Sequence, residues 1–136
     1  MENQPPIIVS SLDLQRLERL LAREMTGRPP ETEALQDELD RATVVEPMAI
    51  PPQVVTMNST VRFRDEMTGG DHELTLVYPE SGNRPATVSV LAPIGSALLG
   101  LSVGQSIDWR IPGGRATRLR VLEIVRQPEA MGEYHR

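Results

Sequence analysis

The strongest constraint on the fold is a change of hydrophobic period near residue 47. Before it, Leu14, Leu17 and Leu21, with Leu20 beside them, and then Leu35, Leu39 and Ala42 recur at the spacings of a helix that buries one face. After it, Val61 and Phe63, Leu74 and Leu76, Val88 and Val90, and Leu119 and Val121 fall two apart, which is strand spacing. Between the two regimes stands EPMAIPPQ, residues 46–53, with three prolines and no period, a stiff connection rather than a continuing element. Helices followed by strands predict an α+β fold. The expected division is a short antiparallel helical hairpin at 1–46, a Pro-rich linker at 47–53 and a β-rich domain at 54–136.

Local signals place the elements. Residues 6–9 read as a short extended lead-in. Ser10 and Ser11 offer hydroxyls at a helix N-cap, and Asp13 falls in the first turn, where negative charge suits the exposed N–H groups. Gly27 can end this helix and Pro30 can start the next. Each helix is about 14 residues and roughly 21 Å long. Strands are predicted at 60–64, 73–78, 86–91, 107–111 and 115–126, with turns at 68–71, 81–85 and 112–114 and a short helix at 93–99. In the last strand Leu119, Val121 and Ile124 are expected to face the core and Arg118 and Arg120 water. The tail from 128 is expected to be loosely ordered.

Composition excludes several function classes. There is no cysteine, hence no disulfide and no thiolate metal site. No apolar run approaches the roughly 20 residues that span a bilayer, and the first eleven residues lack the marks of a secretory signal; a cytoplasmic protein without membrane contact is expected. The formal charge is −5, and ten acids against five arginines in residues 1–46 account for all of it. An isoelectric point near 5.0 argues against broad nucleic-acid binding, whereas an acidic segment suits a basic protein surface. All 14 basic residues are arginine, so a Walker-type phosphate loop is excluded. His72 and His135 are too far apart to suggest a metal site, and no cofactor is expected. Asp37, Glu38 and Asp40 read as a solvated helix face, and Arg115, Arg118 and Arg120 as a modest basic strip on an exposed strand face.

One run remains as a candidate binding element: APIGSALLGLSVGQSIDWRIPGG, residues 92–114, which combines a proline-started helical turn, glycine stops, a strand and a Pro-Gly-Gly hairpin. Its apolar residues can either cap the core of the sheet or lie flat against a partner helix.

VVTMNSTVRF at 54–63, LVYP at 76–79, and APIGSALLGLSVG followed by PGG together resemble the Rnk family of nucleoside diphosphate kinase regulators, over essentially the whole chain. Residues 54–126 also resemble the C-terminal domain of the GreA/GreB transcript-cleavage factors. The resemblance implies an FKBP-like domain, a curved antiparallel sheet with one short helix. It also implies docking on the β′ coiled coil at the rim of the RNA polymerase secondary channel. On that reading Leu91, Ala92, Pro93 and Ile94 form an apolar ledge, and Ala97 and Leu98 support it. In Gre factors a longer coiled coil carries acidic tip residues to the catalytic magnesium. Here Glu24, Glu31 and Glu33 lie near the tip, the Asp-x-x-Glu pair is absent and the arm is short, so no transcript cleavage is expected. The implied function is that of a non-catalytic, monomeric regulator of transcription elongation. It competes with Gre factors, meets nucleic acid only within the polymerase complex and affects nucleoside diphosphate kinase levels indirectly. The alternatives are a protein–protein adaptor outside transcription and an FKBP-type prolyl isomerase. The isomerase needs an aromatic pocket, and Phe63, Tyr78, Trp109 and Tyr134 are scattered.

Overall fold

The structure, a computed structural model, describes residues 6–24, 29–79, 86–110 and 116–132, with side chains at all of these except 23, 24, 29–34, 93, 110 and 116. Strand β1 (Ile8–Ser10) runs directly into helix α1 (Ser11–Glu24), and helix α2 (Pro29–Asp40) leads into β2 (Thr43–Val45). β1 and β2 pair in parallel, Ile8 opposite Thr43. The body follows as β3 (Thr60–Asp65), β4 (Gly70–Val77), β5 (Thr87–Ser89), α3 (Pro93–Leu98), β6 (Ser106–Arg110) and β7 (Ala116–Arg126). These strands form one five-stranded sheet in the order β5-β4-β3-β7-β6. The turns expected at 81–85 and 112–114, the Gly27 helix stop, Arg115, Tyr134 and His135 lie outside the described residues.

The sheet is not antiparallel throughout, as was expected. The β3–β4, β3–β7 and β6–β7 pairs are antiparallel, but β5 runs parallel to β4. The chain leaving β4 re-enters the edge in the same direction instead of turning back as a hairpin, and the Val90 N–H extends that pairing by donating to the Val77 carbonyl at 2.9 Å. β7 is kinked twice. Its register against β3 passes from Val121 to Glu123 and from Ile124 to Arg126, leaving Leu122 and Val125 unmatched. The extra residue at 122 reverses the alternation, so that Leu119, Val121 and Ile124 all turn towards the core. This is why the inward positions of β7 are not evenly spaced.

α1 starts as its sequence suggests, with the Ser10 hydroxyl accepting the Asp13 N–H at 3.0 Å. Its Leu17, Leu20 and Leu21, with Leu35 and Leu39 of α2, belong to the same buried cluster as Phe63, Leu76, Leu98 and Val121 of the body. This part of the helical segment is therefore built into the core and does not stand clear as an arm. Burial of these leucines is worth about 1.5–3 kcal/mol each before chain entropy is charged.

The segment at 47–53, expected as a stiff connection, is packed on the body: Ile50 is buried, and the Gln127 amide donates to the carbonyls of Pro51 and Val54, both at 2.8 Å. Two smaller expectations also change, those for the tail and for Glu38. The described part of the tail, 128–132, is tied down: Glu129 accepts the Thr56 hydroxyl at 2.8 Å. Glu38, expected to be solvated beside Asp37 and Asp40, is only 2% exposed and pairs with Arg41 at 2.6 Å. No helix among the described residues is long and apolar enough to cross a membrane.

Candidate functional site

The candidate docking element is held from beneath by backbone contacts. Ala92 N–H donates to the Ser89 carbonyl at 3.0 Å, Leu91 N–H to the Ser89 hydroxyl at 3.1 Å, and the Ser96 hydroxyl to the Val90 carbonyl at 2.7 Å. Ala92 occupies the N-cap of α3 with extended dihedrals, φ −70 and ψ 150, and Pro93 takes the first turn, where its missing N–H is not needed. Gly95 lies so close to this turn that a Cβ there would meet the Ser89 carbonyl oxygen at 2.0 Å. α2 packs against α3 on another side.

This mounting divides the expected ledge. Leu91 is 5% exposed and Ala97 is fully buried, so neither offers contact surface; both belong to the core, as do Leu98 and Leu99. Ala92 and Ile94 are partly exposed, and Ile94 rests against the core's edge. The Pro93 side chain lies outside the described residues. The correction follows from the short loop between β5 and α3, which places residues 90 and 91 directly against the sheet and leaves only the residues at the head of α3 to reach solvent. The side chains of Glu24, Glu31 and Glu33 also lie outside the described residues, so the structure brings no acidic tip into view.

A polar cluster not anticipated from the sequence lies where the helical segment meets the body. The Asp13 carboxylate is 2% exposed and accepts the Met57 N–H at 3.2 Å. The preceding residue, Thr56, donates its hydroxyl to Glu129 and shares a 2.8 Å hydrogen bond with the Ser59 hydroxyl. The turn is closed by Asn58 at φ 67, a left-handed conformation that asparagine tolerates, with its N–H on the Leu76 carbonyl. Burial pushes the Asp13 carboxyl up to about 7; the Met57 N–H opposes the rise, the Glu129 charge adds to it, and Arg16 and the Tyr78 hydroxyl oppose it. The sequence signal was Ser10 followed three residues later by Asp13, the pattern of a capping box, in which the acidic side chain returns to its own helix end. Here the carboxylate reaches another element instead.

The outer face of the sheet carries paired charge. Arg62 bridges Glu73 and Glu123, Arg64 pairs with Asp71 at 2.7 Å, Arg118 with Asp108 at 2.6 Å, and Arg120 with Glu66 at 3.4 Å. Hydrogen bonding to Arg64 holds Asp71 below the usual carboxylate range. Arg118 and Arg120 are thus neutralised by neighbours and form no basic strip, in keeping with a solvated strand face. Phe63 and Trp109 are buried in the core, and Phe63 stacks on His72 with ring centroids 5.4 Å apart. Among the described residues no three His, Asp or Glu side chains converge as metal ligands.

The family model for the C-terminal region of the transcription elongation factors GreA/GreB matches residues 50–126, and the Rnk N-terminus model matches residues 5–45. The chain belongs to the GreA/GreB family, with an N-terminal segment of the Rnk type. It is 48% identical over 133 residues to the regulator of nucleoside diphosphate kinase of Escherichia coli (strain K12), covering 97% of this chain and 98% of that protein. A solved structure, a prokaryotic transcription elongation factor GreA/GreB from Nitrosomonas europaea, shares 50% identity at a TM-score of 0.69, covering 90% of this chain and all of that one. The family's elongation factors proper match less of the chain. GreA of Chlorobium phaeobacteroides is 32% identical over 92 residues, which are 66% of this chain and 57% of that factor.

Proposed function

We propose that this chain is a non-catalytic regulator of transcription elongation that binds RNA polymerase at the rim of the secondary channel and competes there with Gre-type factors. The binding surface is the turn at the head of α3, Ala92 to Ile94. The observation that carries this reading is the rigid mounting of that turn. Gly95, Ser96 and Ala97 fix the helix against the body, so Ala92 and Ile94 are presented at low conformational cost, as a preorganised contact should be. Family membership supports the partner, because the matched region at 50–126 contains the whole element.

The finer fold reading belongs here too. Residues 54–136 form an FKBP-like domain, 47–53 connect it, and 1–46 form a stub of the hairpin arm of Gre factors. Helices of 14 and 12 residues reach only about 21 and 18 Å, and their turn lacks the Asp-x-x-Glu pair. The protein therefore occupies the rim without cleaving the transcript. Any effect on nucleoside diphosphate kinase follows from altered transcription, and the protein acts as a cytoplasmic monomer.

The test is competition on a backtracked polymerase. Saturating protein suppresses cleavage stimulated by a Gre factor and produces none alone. Ala92→Asp adds a charge to the turn while placing a favourable N-cap residue on α3, so it lowers competition at least tenfold with the fold retained. Undiminished Gre-stimulated cleavage at saturation refutes the shared site, and unchanged competition by Ala92→Asp refutes the assignment of the turn.

A further inference from the structure

Two carboxylates from distant parts of the chain converge on one turn. Asp13, in the first turn of α1, accepts the N–H of Met57, and Glu129, beyond the end of β7, accepts the hydroxyl of Thr56. Among the described residues the other charged or titratable groups acting on Asp13 are Arg16 on its own helix and the Tyr78 hydroxyl just beyond β4. A backbone bond among the described residues also crosses this seam, from the Ile8 N–H to the Gly100 carbonyl at 3.1 Å. Met57 N–H to Asp13 thus ties the start of α1 to the body through a group that can gain or lose a proton.

We propose that Asp13 is a protonation-controlled latch that holds the helical segment on the sheet body when neutral and loosens it when ionised. A buried carboxyl beside a second carboxylate gains little by ionising in place, because the Met57 N–H, the Arg16 charge and the Tyr78 hydroxyl offset only part of its lost hydration. Opening the seam hydrates Asp13 and separates it from Glu129, so rising pH favours the open form. With the carboxyl at about 7 when closed and near 3.9 when hydrated, the open-to-closed ratio rises about fifty-fold between pH 5 and pH 7. The latch is independent of the polymerase reading, since it concerns how the two parts of the chain hold together.

Amide hydrogen exchange on the full chain tests it, comparing wild type with Asp13→Asn at each pH so that the intrinsic exchange rate cancels. Asparagine keeps an acceptor for Met57 and cannot ionise. In the wild type, protection of the Met57 and Ile8 amides falls about fifty-fold relative to the variant between pH 5 and 7, while Phe63 and Val121 amides keep theirs. Identical profiles for the two proteins overturn the proposal, as does loss of protection that extends equally to Phe63 and Val121. If Asp13→Asn does not fold, the carboxyl carbon shift of Asp13 in the wild type decides: a midpoint near 7 supports the latch, and one below 5 overturns it.

Discussion

Replacing Gly95 by alanine tests how α3 is mounted. The residue is helical and not in a left-handed conformation, since the glycines with positive φ in the described chain are 69, 100, 104 and 132, so the issue is space. An added Cβ meets the Ser89 carbonyl oxygen at 2.0 Å, its carbon at 2.9 Å and Val90 Cα at 3.1 Å. All three are backbone atoms, and no side-chain rotation relieves them. Restoring ordinary contact moves α3 by more than about 1 Å, and overpacking of this kind costs about 1–3 kcal/mol. The same movement stretches the Ala92 N–H bond to Ser89 and the Ser96 hydroxyl bond to Val90, each worth about 1 kcal/mol. Alanine's better helix propensity returns about 1 kcal/mol. The net is a loss of about 3 kcal/mol, or about 10 °C in melting temperature for a domain of this size. Calorimetry or thermal circular dichroism reads it directly. A melting temperature within 2 °C of wild type, about 0.5 kcal/mol, refutes the close approach of α3 to the turn and with it the argument for a preorganised head.

Two further outcomes follow from the same contacts. Gly100→Ala places a Cβ 2.8 Å from Ile7 Cβ at φ +82, combining strain with overlap where β1 docks; urea unfolding should show a loss of about 2–4 kcal/mol. Asp13 binds its proton more tightly folded than unfolded, so its contribution to stability falls as pH rises from about 4 to about 7 and is flat above. Urea melts at pH 5 and pH 8 should show wild type losing about 2.5 kcal/mol relative to Asp13→Asn, and an equal change in both proteins rejects the raised carboxyl.

Much of this architecture was legible because it is written in local period. The change near residue 47, the Ser10 cap and the proline at the head of α3 are properties of short windows, and the structure realises each of them. What escaped depends on partners far along the chain. β1 and β2 are three residues each and pair across more than thirty residues, too short for alternation to register. β5 reads as a strand from Val88 and Val90, but nothing in those residues fixes its parallel direction. Asp13 was read as a helix-end charge because its sequence neighbours say so, whereas Met57 and Glu129 decide its chemistry. Among the apolar residues marked at 91–97, sequence alone does not distinguish Leu91 and Ala97, which are buried, from Ala92 and Ile94, which reach solvent.

The small residues of α3 have a structural reason that precedes any partner. The helix has six residues and is packed by the sheet on one side and by α2 on another. A helix that must be approached closely on two sides needs short side chains in its middle, and Gly95, Ser96 and Ala97 supply them while Leu98 and Leu99 fill the core beyond. The helical part of the run that marks the family is therefore first a packing solution, with Ala92 and Ile94 at its head partly exposed. Because α2 lies on the same helix, the acidic segment and the proposed docking turn are mechanically joined. A partner that grips Ala92 and Ile94 acts on an element to which both parts of the chain are fastened.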